Sequence, residues 1–319
     1  MESLDAETLL GPFFVLLCVV FMLYGLFCAQ TCYYYTTYHD HLSLKLAVSV
    51  LFVLETLHVI AGIHMLYWYL LVNYANPAKL TQIPWSVGLL SYLEHGIGAL
   101  VQLFYIYRIW CVSKNTILTF ILISLELTRI ALGFRASSFV CIHHTWAALD
   151  GTSFGLFANL AFAFNIIVDS SIAFILTYSL HLKGRSSAYA RSTKKILLKL
   201  TYYAITAGAS TVLVSISVLI VYNRLRTTLA YIGLLQIIAK LNANSMLAML
   251  NARKRIVREA KGAMCLELSD RSSCHQLQPQ TTIHVFHETI LTEDKSSIAE
   301  RGEVSVQVSS PDFVARSTR

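Results

Sequence analysis

Residues 9–30 read LLGPFFVLLCVVFMLYGLFCAQ, and no charged side chain interrupts them. An α-helix needs about 20 predominantly apolar residues to cross a hydrocarbon core about 30 Å thick. The flank before this run carries Glu2, Asp5 and Glu7 and no lysine or arginine. A cleavable secretory leader has a positive start and a shorter apolar core, so the run reads as an uncleaved first span whose acidic flank is translocated. Comparable runs follow at about 44–72, 84–110, 117–134, 154–182, 196–222 and 229–250. Each is apolar on every face, as lipid-embedded helices are and amphipathic soluble ones are not. The expected fold is all-α: a polytopic membrane protein with seven transmembrane helices. The fourth run is the shortest and carries Glu126 and Arg129.

Composition leads to the same solvent. Of 319 residues, 55% are hydrophobic and 13% charged, with a mean hydropathy of +0.58. A soluble globule carries roughly a quarter of its residues as charges, and half that number cannot cover its surface. The net charge of +7 does not indicate nucleic acid, because the basic residues cluster beside the apolar runs. No alternation of aromatic and basic residues makes a single-strand platform. Placement beside the runs suits the anionic cytoplasmic leaflet.

Lysine and arginine positions orient the chain. With the N-terminus outside, the cytoplasmic segments hold Lys45, Arg108, Lys114, Lys183, Arg185, Arg191, Lys194, Lys195, Arg253, Lys254, Arg255, Arg258 and Lys261. The outer segments hold Lys79, Arg135, Arg224 and Arg226. The imbalance places the C-terminus in the cytoplasm, with the plasma membrane as the default location. Interfacial aromatics are expected inside at Tyr33, Tyr34, Tyr35, Tyr105, Tyr107 and Trp110, and outside at Tyr67, Trp68, Tyr69 and Trp85. The chain thus divides into a short extracellular segment (1–8), a transmembrane domain (9–251) and a cytoplasmic, largely disordered tail (252–319), rich in Ser, Thr, Gln and mixed charges.

Ionisable residues within the spans cost several kcal/mol unless paired, protonated or wetted. Glu55, Glu94, Glu126, Asp169 and Lys240 all sit near the expected midplane. One reading pairs Lys240 with one of these acids and leaves the others protonated. The sharper reading is a polar pocket lined by Glu55, Glu94, Asp169 and Lys240, with Asn165 one turn before Asp169 on the same face. A lysine midway along a seventh helix also permits a retinal Schiff base with Glu94 as counter-ion, but no retinal-type pocket pattern accompanies it. Glu55 and His58 share a helix face and read as a local hydrogen bond. The other histidines do not reach the three-ligand spacing of an open zinc site, and seven scattered cysteines form no disulfide framework. No metal or cofactor is expected.

Two stretches carry a family resemblance: Val101-Gln102-Leu103-Phe104-Tyr105-Ile106-Tyr107-Arg108-Ile109-Trp110 with Ser113-Lys114-Asn115, and Lys240-Leu241-Asn242-Ala243-Asn244-Ser245 continuing to Arg253. With Leu10-Gly11-Pro12 and Tyr35-Thr36-Thr37-Tyr38, the chain resembles, over about 9–255, a large family of uncharacterised seven-helix membrane proteins of basidiomycete fungi. That family is defined by a C-terminal domain of unknown function. This chain departs from it at Asn242, where an aromatic is usual. The resemblance implies the architecture and brings no activity, ligand or catalytic residue. Within these stretches Gln102, Asn244, Ser245 and Asn251 are candidates for bonds between helices.

The reading is a non-enzymatic, receptor- or sensor-like protein with a polar midplane pocket. Its rivals are a proton-coupled transporter and a non-catalytic membrane scaffold with a cytoplasmic partner for the tail. Arg108, Lys114, Arg253, Lys254 and Arg255 are the candidates for contact with anionic headgroups on the cytoplasmic face.

Overall fold

The structure is a computed structural model that describes residues 6–74, 76–149, 152–185, 191–225 and 228–272. The long helices are α1 (Ala6–Thr37), α2 (Leu42–Tyr67), α3 (Trp85–Ser113), α4 (Thr116–Ile142), α5 (Thr152–Arg185), α6 (Arg191–Arg224) and α7 (Ala230–Ser272). A π-helical turn, Trp68–Val72, extends α2. Among the described residues there is no strand, only one isolated antiparallel bridge between Gln82 and Thr145. Among the described residues six helices are long and apolar enough to cross a membrane: α1, α2, α3, α4, α5 and α7. The described part of α6 contributes the shorter apolar stretch Gly208–Arg224.

Large apolar side chains cover the outer faces: Met22, Leu42, Ile117, Phe120 and Phe174 are each at least 70% exposed. Water does not tolerate so much contiguous apolar surface, and lipid covers it without cost. The chain is an integral membrane protein. The innermost helix is α7, whose most apolar window is 72% buried, against 39% or less in the other five. Amides fasten it to α1: Asn244 Nδ2 donates to Leu23 O at 3.0 Å, and Asn251 Nδ2 to Gln30 O at 2.8 Å. Polar bridges of this kind replace the hydrophobic drive that lipid removes between helices.

Three expectations change. The fourth helix runs to Ile142, not 134. Its charges do not shorten it, because Glu126 pairs with Arg129 and the Arg135 guanidinium lies 4.2 Å from the Phe139 ring centre. The last helix continues to Ser272, so the tail is not disordered from 252. Apart from Gly262, residues 252–272 lack helix breakers and contain many good helix formers. Residues 273–319 lie outside the described residues. Finally, Tyr34, Tyr69 and Tyr105 are buried within the bundle, not at the lipid interface, whereas Tyr33, Tyr67 and Trp85 are exposed.

Connections close both ends. Between α3 and α4, Lys114 adopts a left-handed conformation (φ 55°) and donates its backbone N–H to Trp110 O at 2.8 Å. Asn115 then caps α4, its Oδ1 accepting from Leu118 N at 3.1 Å. At the other end, Ile83 N donates to His144 O at 2.8 Å and Trp146 N to Thr81 O at 3.0 Å. Tyr69 OH, donating to Gln82 O at 2.7 Å, ties α2 beneath this lid.

Candidate functional site

Interior polar residues form three groups at different places in the bundle. The first joins α2 and α7. Lys240 Nζ makes an ion pair with Glu55 Oε2 and approaches His58 Nδ1 at 3.3 Å. All three side chains are fully buried, and the Tyr24 ring centre lies 5.7 Å from the ammonium. An ion in such a place costs several kcal/mol unless its partner neutralises it. The helical register makes this pairing available, because Glu55 and His58, three residues apart, share one face of α2. Both point at Lys240; among the described residues Glu55 Oε1 and His58 Nε2 have no hydrogen-bond partner. The local Glu55–His58 hydrogen bond is therefore replaced by a shared lysine.

The second group lies among α3, α4, α5, α6 and α7, around a cavity of about 100 Å³. Arg129 grips Glu126 one turn earlier, Nε to Oε2 at 2.8 Å and Nη2 to Oε1 at 2.5 Å. Its remaining nitrogen donates to Asn165 Oδ1 at 3.2 Å, and Asn165 Nδ2 donates to Ser215 Oγ at 3.1 Å. This fork orients the guanidinium as a lysine could not. Clearance comes from Gly98, where a Cβ would lie 3.1 Å from Nη2, and from Gly133, where one would lie 2.5 Å from His95 Cε1. Glu94, His95 and Gln236 also line this cavity, whose walls include Phe154, Phe162, Tyr222 and Tyr231, while the amide oxygen of Gln236 lies where a Cβ on Gly62 of α2 would meet it at 3.0 Å. Gln236 is buried with both amide atoms unpartnered among the described residues. Glu94 makes no hydrogen bond or ion pair among the described residues, and Arg129 is the charge that acts on it.

The third group sits further along α3. Gln102 Nε2 donates to Asp169 Oδ1 on α5, beside a small cavity of about 30 Å³ also lined by Tyr105, Thr211, Asn242 and Ser245. Tyr105 OH and Ser245 Oγ are 2.8 Å apart. Glu94, Gly98, Gln102 and Tyr105 recur three or four residues apart, which puts them on one inward face of α3. At 1.5 Å per residue, that face carries polarity for about 16 Å between Glu94 and Tyr105.

The four residues expected to share a pocket are thus divided. Glu55 and Lys240 close on each other and line neither cavity, Glu94 faces the larger cavity, and Asp169 the smaller. Glu94 is not the counter-ion of Lys240; Glu55 is. The principal omission of the sequence reading is Arg129 as a second buried cation, although the spacing of Glu126 and Arg129 is that of a helical ion pair. His95, Ser215 and Gln236 gave no local signal, since only tertiary packing turns them to one cavity. The bridging roles expected of Gln102, Asn244, Ser245 and Asn251 are all found.

At the far end of α3, Arg108 is half-buried with its guanidinium 5.9 Å from the Phe104 ring centre. Lys114 is exposed, its ammonium 5.2 Å from the Trp110 ring centre. Arg253 instead pairs with Asp40 in the α1–α2 turn, and Lys254 donates to Thr37 O. Burial works against ionisation of Asp40, but hydrogen bonds from Arg253 and from Tyr34 OH at 2.9 Å hold its carboxyl below the usual range. The side chain of Arg255 lies outside the described residues. Among the described residues no three His, Cys, Asp or Glu side chains converge.

A comparison with known families finds a family of unknown function (DUF6534) matching residues 165–255. The match begins at Asn165 in α5, spans α6 and ends just beyond Lys254, so it contains Asp169, Ser215, Gln236, Lys240 and Ser245. No curated protein and no solved structure matches the chain. The chain is a multi-pass membrane protein that carries a DUF6534 domain of unknown function at 165–255.

Proposed function

We propose that this protein is a receptor- or sensor-type membrane protein without catalytic activity, and that the cavity between α3 and α7 binds a small amphipathic ligand. The observation that supports this most is the place of Glu94 on the lining of an aromatic-walled cavity, with no hydrogen-bond partner among the described residues. A carboxyl left without a partner inside a membrane bundle is costly, and a ligand with a donor for Glu94 removes that cost. The Arg129 guanidinium, already paired with Glu126, lies on the same lining. Pockets of this kind, apolar with a few convergent polar groups, are the usual form of small-molecule sites.

The reading includes α6 as a seventh span, consistent with the resemblance to seven-helix fungal proteins. It also keeps the N-terminus outside, the C-terminus cytoplasmic and the plasma membrane as location. Lys114 and Arg108 then meet anionic headgroups on the cytoplasmic face, and the tail is the surface for a cytoplasmic partner. A transporter reading draws on one observation, the continuous polar face of α3; it predicts pH-gradient-driven flux in proteoliposomes.

Native mass spectrometry of gently purified protein tests the ligand. A defined extra mass that is lost in Glu94→Gln and kept in Lys240→Met supports the cavity, because Lys240 does not line it. A bare mass in every preparation, or a ligand indifferent to Glu94→Gln, refutes it and favours a scaffold.

A further inference from the structure

The smaller cavity has an unusual chemistry: its hydroxyl protons are directed elsewhere. Ser245 Oγ donates to Asn242 O at 2.8 Å, and Thr211 Oγ1 donates to Gly208 O at 3.0 Å. With the Ser245 proton committed, Tyr105 OH must be the donor in its 2.8 Å contact with Ser245. Gln102 uses its amide nitrogen on Asp169 Oδ1, which leaves Gln102 Oε1 as an acceptor. The second oxygen of Asp169 and Gln102 Oε1 are both buried and have no hydrogen-bond partner among the described residues. Their side chains are 3% and 4% exposed. Around one void of about 30 Å³ there are thus a carboxylate oxygen, an amide oxygen and hydroxyl lone pairs. The donors that remain on the lining are the side-chain amide of Asn242 and the second N–H of Gln102 Nε2.

Charge balance points the same way. Lys240 is matched by Glu55 and Arg129 by Glu126. Arg129 also lies near enough to act on Asp169 electrostatically, but its hydrogen bonds go to Glu126 and Asn165. Among the described interior groups the carboxyls of Asp169 and Glu94 are left over, and a carboxylate within a membrane bundle needs a counter-charge.

We propose that Asp169, Gln102, Tyr105, Thr211, Asn242 and Ser245 form a binding site for a single sodium ion between α3, α5, α6 and α7. Hard cations take carboxylate, carbonyl and hydroxyl oxygens. One carboxylate suits a monovalent ion, whereas dedicated calcium sites gather several charged ligands. The void of about 30 Å³ has room for one dehydrated alkali ion and none for choline, and the carboxylate binds sodium more strongly than potassium because the smaller ion approaches its oxygen more closely. The site is separate from the Glu94 cavity, so it stands or falls independently of the proposed ligand.

The test uses the full-length protein in detergent micelles, with melting temperature followed in NaCl, KCl and choline chloride at a matched ionic strength of about 0.15 M. Sodium should raise the melting temperature saturably, by about 3 °C at a tenfold excess over its dissociation constant. Potassium should raise it less, and choline not at all. Asp169→Asn should abolish the sodium dependence, and Ser245→Ala, a milder change, should shift its midpoint several-fold to higher sodium. Equal melting in all three salts overturns the proposal, and is the result expected if a water alone donates to Asp169 and Gln102. A sodium effect that survives both substitutions places the ion elsewhere and also overturns it. So does a melting temperature that follows pH but not sodium, which assigns the site to a proton.

Discussion

Breaking the Lys240–Glu55 pair from either side should give opposite pH dependences. The pair is fully buried, and removing one partner of such a pair typically costs about 3–5 kcal/mol. In Lys240→Met the folded protein escapes an unpaired carboxylate by taking up a proton. A glutamate titrates near pH 4.3 in water, so protonating it at pH 7 costs up to about 3.7 kcal/mol. The proton goes to Glu55 or to His58, whose Nδ1 lies 3.3 Å from the ammonium it loses. Either way the folded state binds more protons than the unfolded one, so stability falls as pH rises, by up to about 1.4 kcal/mol per unit. In Glu55→Leu the reverse holds. Lys240 sheds its proton on folding, at up to about 4.6 kcal/mol at pH 7 from a reference near 10.4. The unfolded state then binds more protons, and stability rises with pH. The double variant Lys240→Met/Glu55→Leu replaces the pair with apolar groups and should return to within about 1–2 kcal/mol of the parent. Equilibrium unfolding in mixed micelles, followed by circular dichroism between pH 6 and pH 8 (a range set by about one unit either side of neutrality), measures all three. Single variants as stable as the parent, or with slopes of the same sign, would refute the idea that this pair balances the buried charge.

Two further outcomes are expected. Asp40→Asn should lower stability by roughly 1–2 kcal/mol, since it removes a charge-assisted, partly buried bond to Arg253. Because the Asp40 carboxyl is held below its usual range, the parent keeps this contribution above the unfolded-state pKa near 3.9 and loses it as pH falls through the lower folded value; an acid melt that does not separate variant from parent near neutral pH contradicts the contact. Gly133→Ala drives a methyl group to within 2.5 Å of the His95 ring and should cost about 1–3 kcal/mol through overpacking. Unchanged melting of that variant would mean that α3 and α4 are not packed as closely as described.

Much of the fold is written locally. The apolar run at residues 9–30 and the later runs specify membrane helices by length and composition alone, because lipid requires every backbone group to be satisfied within its own segment. The bridging role of Gln102, Asn244, Ser245 and Asn251 was readable for a related reason: an amide or hydroxyl inside such a run has few partners other than a neighbouring helix. Local reading failed where charge was concerned. The fourth run was the shortest and carried Glu126 and Arg129, yet as a pair these present little net charge to the bundle, and α4 continues to Ile142.

By itself, then, the sequence determined that the chain is helical, where most helices start, and which side chains are too polar to face lipid. Only the tertiary structure decided how those side chains are shared out. Lys240 and Glu55 are 185 residues apart, and no periodicity relates them. Glu94 and Asp169 seem equivalent along the chain, but the packing of α3 against α5, α6 and α7 puts one on a cavity of about 100 Å³ and the other on one of about 30 Å³. The physical reason is one of range. Transfer into lipid acts residue by residue and leaves its mark in composition, whereas the pairing of buried charges depends on helix rotation and depth, which the whole set of neighbours sets together.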